Sequence, residues 1–97
     1  RKDDIIARLG GDEFVILLKN LDSDAVIERL AASLNRALCR TYTQDNISLS
    51  ISASIGIARA PIDGTTFAEL YPKADAALYE VKRSGKGSFH IYQPPSQ

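Results

Sequence analysis

Ile5-Ile6-Ala7-Arg8-Leu9-Gly10-Gly11-Asp12-Glu13-Phe14-Val15-Ile16-Leu17-Leu18 reads as two short strands and the turn between them. Ile5 to Leu9 is the first strand, and Glu13 to Leu18, richer in β-forming residues, is the second. Gly10 and Gly11 supply two adjacent positions that accept a positive φ, which a tight hairpin turn demands.

Beyond the hairpin the period changes. Asp22 or Ser23 can cap a helix predicted to run to about Arg40, with Val26, Ile27, Leu30, Leu34, Ala37 and Leu38 forming one apolar stripe. From Ile47 to Ile57 the period becomes two. Ile47, Leu49, Ile51, Ala53, Ile55 and Ile57 alternate with Ser48, Ser50, Ser52, Ser54 and Gly56, which predicts one long strand with a small face open to close packing. Pro61-Ile62-Asp63-Gly64 is a turn. Thr66-Phe67-Ala68-Glu69 has capping-box spacing and opens a second helix ending at Lys82-Arg83, with Gly85 near its C′ position. Pro72 removes one hydrogen bond inside it, so a kink or break is expected near Leu70. Phe89 to Tyr92 can form a last strand before the polar tail Gln93–Gln97. The string is ββαβαβ, an α+β arrangement of two helices on an antiparallel or mixed sheet.

Composition narrows the classes. The 97 residues are enough for one domain, with 44% hydrophobic and 25% charged residues, an ordinary globular balance. Twelve Lys and Arg cancel twelve Asp and Glu, so no global field draws the chain to a nucleic-acid polymer or an anionic membrane. A phosphate ligand would need a local site. Cys39 alone excludes an internal disulfide and fits a reducing compartment. No apolar run approaches the ~20 residues that span a bilayer. The chain has no methionine, so Arg1 is not expected to be a native start and a longer parent protein is expected.

The turn Arg8-Leu9-Gly10-Gly11-Asp12-Glu13-Phe14 holds the clearest chemical signal. Glycines without Cβ let a ligand approach the backbone, and the carboxylates beside them can bind a hard cation such as Mg²⁺, itself shared with phosphate oxygens. Successive strand side chains point to opposite faces, so Asp12 and Glu13 should not both aim squarely at one ion. The same residues also suit a plain Gly-Gly hairpin whose acids serve turn chemistry and solubility. Lys82 and Lys86 are spaced i,i+4 and can share a face if the helix continues. They equally suit dipole compensation at a helix C-terminus.

The string resembles the signature of GGDEF domains, the diguanylate cyclases of bacterial signalling. Ser54-Ile55-Gly56-Ile57-Ala58 resembles the family's SIG(V/I)A strand, Ala74-Asp75-Ala76-Ala77-Leu78-Tyr79 its ADxALY helix, and Val81-Lys82-Arg83-Ser84-Gly85-Lys86-Gly87 its AKxxGRN segment. The similarity runs from Arg1 to about Tyr92, which makes residues 1–92 the C-terminal portion of such a domain and 93–97 a tail. The resemblance implies a ferredoxin-like, polymerase-palm-like sheet and the condensation of two GTP into cyclic di-GMP with release of pyrophosphate, as a homodimer formed through the parent protein. It implies Mg²⁺ or Mn²⁺ at Asp12 and Glu13, which also carry the catalytic role, nucleotide against Gly10 and Gly11, and phosphate contacts from Lys82 and Lys86. Lys86 stands where arginine is more usual, which keeps the charge and loses the bidentate fork.

Arg1-Lys2-Asp3-Asp4 lies five residues before Gly10, the offset of the family's RxxD site, where cyclic di-GMP binds and arrests catalysis. Arg1 can fork onto phosphate and Asp4 can accept from a guanine edge. The arginine that the family often adds from the following helix falls at Ala32, with Arg29 and Arg36 as near substitutes. His90 reads as a surface or packing residue, Cys39 as a small core residue, Asp75 as structural, and Asp22, Asp24 and Glu28 as compensation of a helix start.

The family's DxDxFKxxND segment, with a further metal-binding acid, is not among these residues. Its strand would lie between Glu13–Leu18 and Ile47–Ile57, so a gap with exposed edges is expected, and the 97 residues alone are expected not to turn over GTP. The alternative is a non-catalytic GGDEF domain that binds cyclic di-GMP or GTP. A purely structural dimerisation domain stands third. In either leading reading the domain is expected in the cytoplasm without direct membrane contact, though the parent can be membrane-anchored.

Overall fold

The computed structural model describes residues 4–19, 23–85 and 87–94. Six strands and two helices follow the order β1 (Ile5–Gly10), β2 (Glu13–Lys19), α1 (Asp24–Leu38), β3 (Arg40–Gln44), β4 (Ile47–Ile51), β5 (Ser54–Ala60), α2 (Phe67–Arg83) and β6 (Phe89–Ile91). The main sheet is mixed, in the order β1-β2-β5-β6, antiparallel between β1 and β2 and parallel elsewhere. The class is α+β, as the periodicities imply.

Helices cover both faces of this sheet. Val15, Leu17, Ala58 and Ala60 pack with Leu70, Ala74 and Leu78 of α2. Ile16, Leu18, Ile55, Ile57 and Ile91 pack with Ile27 and Ala31 of α1 on the opposite side. Hence Val15 to Leu18 are all buried, the unbroken apolar run expected of a strand covered on two sides. Each such side chain contributes about 1.5–3 kcal/mol by leaving water. Gly56 sets how closely α2 sits: a Cβ there would lie 2.1 Å from the Ala74 carbonyl oxygen. The helix rests directly on strand backbone.

Four expectations need correction. The stretch from Ile47 to Ile57 is not one strand. It breaks at Ser52 and Ala53, and β4 turns away to pair with β3 in a separate two-stranded sheet. Asp45 and Asn46 take φ of 52° and 68°, the left-handed pair a tight hairpin turn uses. Thr41–Ser50 and Thr43–Ser48 hydroxyl pairs line one face of this ribbon, while Tyr42, Ile47 and Leu49 stand exposed on the other. Alternation continues through the break, so periodicity alone could not reveal it. Helix α1 ends at Leu38, because Arg40 already belongs to β3; Ser23 is its cap, accepting from the Val26 amide. Helix α2 runs unbroken through Pro72. Pro72 lies in its second turn, where the carbonyl it deprives belongs to exposed Ala68 and can be solvated. Finally, β2 pairs directly with β5, Glu13 opposite Ser54 through Lys19 opposite Ala60, so no gap separates them. Among the described residues no helix is long and apolar enough to cross a membrane.

Candidate functional site

The hairpin turn forms at Gly11 and Asp12, between partners Gly10 and Glu13. Gly11 has φ of 51°, a conformation other residues adopt at a cost. One irregularity between Arg8 and Gly10 leaves Leu9 as a bulge, and the Arg8 Nε donates to the Gly11 carbonyl at 2.9 Å, bracing the turn. A Cβ added at Gly10 or Gly11 would meet nothing within 4 Å. These glycines answer to backbone conformation, and the turn presents an open side.

Asp12 and Glu13 are both half-buried. The Asp12 carbonyl accepts from the Ser54 amide at 2.8 Å, which joins the turn to the start of β5. The Glu13 Oε1 receives the Lys82 Nζ at 3.2 Å, across 69 residues of sequence. With side chains 36% and 40% exposed, this pair adds no more than about 1 kcal/mol to stability. Its interest is positional: the parallel register of β2 on β5, with α2 seated on Gly56, delivers the last turn of α2 to the acidic turn.

Helix α2 stops at Arg83, where the Ser84 amide donates to Glu80 and Val81 carbonyls and Gly85 takes φ of 116°. The helix therefore does not carry Lys82 and position 86 on one continuous face; Lys86 itself lies outside the described residues. The chain returns at once to β5: the Gly87 amide donates to the Ser54 Oγ at 3.2 Å and the Ile55 amide to the Ser88 carbonyl at 3.0 Å.

Asp4 sits at the other end of the hairpin, about 20 Å away at a strand's rise of about 3.3 Å per residue. Its Oδ1 accepts from the Lys19 amide at 3.3 Å. Asp4 also borders a cavity of about 170 Å³ between β1 and α1, lined by Ile6, Ile16, Leu18, Leu30 and Leu34. Arg1 lies outside the described residues, as does Asp22. Arg29 and Arg36 are exposed on α1.

Among the described residues no group of three or more His, Cys, Asp or Glu side chains is placed to share a metal ion. Two adjacent carboxylates on an open turn do fit Mg²⁺, which commonly takes one or two protein carboxylates and completes its octahedron with water and phosphate oxygens.

A buried polar cluster at the far end of β5 escaped the sequence reading. The Arg59 guanidinium, 6% exposed, bonds Asp24 at 2.7 Å, Asp63 at 3.3 Å and the Tyr92 carbonyl at 3.4 Å. Burial works against its charge, but the bonds to Asp63 and Asp24 outweigh that and hold it above its ordinary pKa. Lys73 Nζ donates to the Asp63 carbonyl and stands 5.7 Å from the Tyr92 ring. This cluster pins the α1 start, the 61–64 turn and the end of β6 together. The available signal was an arginine inside an otherwise apolar strand, and Asp24 is a partner of that arginine as well as a helix-start acid. Cys39 is half-buried rather than core; with its sulfur accepting from the Ala53 amide at 3.2 Å, it holds the point where β4 leaves β5. His90 is half-buried on β6, and Asp75 is exposed on α2.

Comparison with known proteins converges on one family. The model of the diguanylate cyclase GGDEF domain matches residues 1–88. The bifunctional diguanylate cyclase/cyclic di-GMP phosphodiesterase MucR of Pseudomonas aeruginosa is 43% identical over 94 residues, covering 96% of this chain and 13% of that protein. The cyclic di-GMP phosphodiesterase PdeR of Escherichia coli is 34% identical over 92 residues, covering 95% of this chain and 14% of that protein. A solved truncated form of TpbB from Pseudomonas aeruginosa, comprising only its GGDEF domain, superposes with a TM-score of 0.73 at 38% identity, covering 96% of this chain and 55% of that one. The chain thus spans a small part of these full-length relatives and about half of the solved domain.

Proposed function

The chain belongs to the GGDEF domain family of diguanylate cyclases, and from that premise we propose that it is the C-terminal portion of a domain that condenses two GTP into cyclic di-GMP. Residues 1–92 form that portion and 93–97 a tail. The observation that carries the reading is the meeting of Glu13 and Lys82 at 3.2 Å beside the open Gly10-Gly11 turn. A carboxylate for a cation and an ammonium for phosphate stand together where no side chain covers the backbone.

In this reading Asp12 and Glu13 hold Mg²⁺ or Mn²⁺, which when bound lowers the pKa of a coordinated hydroxyl and offsets charge on phosphoryl oxygens. Gly10 and Gly11 lie against the nucleotide. Lys82 and Lys86 draw the phosphates and steady charge on the leaving group. The 3′-oxygen of one GTP attacks the α-phosphorus of the GTP on a partner domain. The new P–O bond forms as the bond to the β-phosphate bridging oxygen breaks, and pyrophosphate departs. Glu13 helps take up the hydroxyl proton. Two such steps, one from each side of a homodimer, close the ring.

Arg1 and Asp4 form a product-binding site that slows catalysis, remote from the turn. The 97 residues by themselves do not turn over GTP, because the acidic turn offers two adjacent carboxylates and the family's further acidic segment is not among them. The domain works in the cytoplasm. Incubation of the full-length protein with GTP and Mg²⁺, followed by chromatographic separation of nucleotides, tests the reading. Cyclic di-GMP that disappears with Asp12→Ala is the expected result. Undiminished product from Asp12→Ala would overturn the site. No product, with cyclic di-GMP bound in an Arg1-dependent manner, would make the domain a receptor.

A further inference from the structure

Ser54 is 2% exposed, and its hydroxyl is a polar group at the start of a strand whose other positions are almost all apolar. Such a group is retained at a cost unless it has a partner. Its partners lie on either side of the proposed site. The Ser54 amide donates to the Asp12 carbonyl at 2.8 Å, and its Oγ accepts from the Gly87 amide at 3.2 Å. Gly87 directly follows Lys86 and takes φ of 69°. The next residue repeats the pattern, the Ile55 amide donating to the Ser88 carbonyl at 3.0 Å.

We infer that Ser54 is a positioning residue: one buried side chain and its own amide hold the acidic turn and the lysine-bearing loop after α2 in a single register. The inference rests on the cyclase reading for its functional consequence. The Glu13–Lys82 pair also bridges turn and helix, but it is half exposed and therefore screened by salt. The Ser54 links are shielded from solvent and persist when that pair opens to admit a nucleotide. Alanine at position 54 keeps the amide bond to Asp12 and removes only the acceptor for Gly87. Serine there thus acts on the loop, and through the loop on Lys86, without touching the reacting atoms.

The test is Ser54→Ala in the full-length protein, with turnover, Tm and exchange of the Gly87 amide measured together. The Gly87 amide should exchange faster. KM for GTP should rise about three- to tenfold, the factor that one neutral hydrogen bond is worth, with kcat changed less than about twofold. In a Lys86→Ala background the same substitution should add less than about twofold, because the loop then has no ammonium to place. A role in folding alone would lower Tm and leave KM where it was, which overturns the inference. So would a full effect persisting without Lys86, or an unchanged Gly87 exchange rate. If Ser54→Ala does not fold, Ser54→Cys, similar in size with a weaker acceptor, should raise KM by a smaller factor, and an unaltered KM refutes the proposal. If the full-length protein forms no cyclic di-GMP, the cyclase reading fails by itself. The link is then judged by Gly87 exchange and by Mg·GTP affinity in calorimetry, and both must change.

Discussion

Gly56→Ala should be among the most destabilising single-methyl changes this chain can suffer. The added Cβ would lie 2.1 Å from the Ala74 carbonyl oxygen, 2.5 Å from the Leu78 amide nitrogen and 2.8 Å from the Leu78 Cβ. Carbon and oxygen normally approach to about 3.3 Å, so the overlap is roughly 1.2 Å. Two of the three obstructing atoms are backbone, and no rotamer change relieves them. Helix α2 must lift, and a gap approaching 1 Å forfeits a quarter to a half of the dispersion attraction across it. The face that lifts carries Leu70, Ala74, Ala77, Leu78 and Val81, all buried. Overpacking alone costs typically 1–3 kcal/mol, and with the lost contacts the estimate is about 3 kcal/mol or more. A domain of this size has about 5–15 kcal/mol in all, and each kcal/mol shifts Tm by about 4–8 °C. Thermal and urea unfolding followed by far-ultraviolet circular dichroism should therefore show Tm lower by about 12–24 °C. Ala74→Gly should not rescue it, since the obstruction at position 74 is the carbonyl. A Gly56→Ala protein within about 1 kcal/mol of its parent would refute the placement of α2 on β5.

Arg59→Met should cost about 3–5 kcal/mol, because Asp63, 4% exposed, would keep a buried charge without its guanidinium partner; Asp63→Asn added to it should recover part of the loss in urea titrations. Glu13→Gln should leave stability within about 1 kcal/mol, as the exposed pair with Lys82 implies, yet lower cyclic di-GMP formation by about two orders of magnitude if it carries the metal; equal losses in folding and product would argue against a site role. Glu69 is held below its ordinary pKa of 4.5 by bonds from the Thr65 amide and hydroxyl and from Thr66. A carboxylate whose folded pKa is depressed stabilises above its unfolded pKa and loses that contribution as pH falls through the folded value. Acid titration of stability should thus show a decline below pH 4.5 that is reduced in Glu69→Gln. Thr66→Ala should cost about 1 kcal/mol at neutral pH.

Local chemistry made much of this molecule readable from its residues. Gly10-Gly11 announces a hairpin because few other residues tolerate the φ of 51° that the turn imposes at Gly11. Ser23 and the Thr66–Glu69 box announce helix starts because their oxygens satisfy orphan amides at short sequence range. The family signature is likewise contiguous, so Asp12, Glu13 and Lys82 could be named before any coordinates. The rest depends on partners that lie far apart. Whether Ile47 to Ile57 is one strand or two turns on which strand each half pairs with, and alternation is the same in both cases. β4 found β3, and β5 found β2 and β6. Arg59 looked like an interruption in an apolar strand until Asp24 and Asp63 met it from 35 and 4 residues away. Ser54 was one serine among five alternating small residues, and only the return of the chain at Gly87 and Ser88 singled it out. Short-range hydrogen bonds and backbone preferences are written in neighbouring residues. Pairing, burial and long-range charge contacts are settled by the folded packing, which decides which surfaces leave water together.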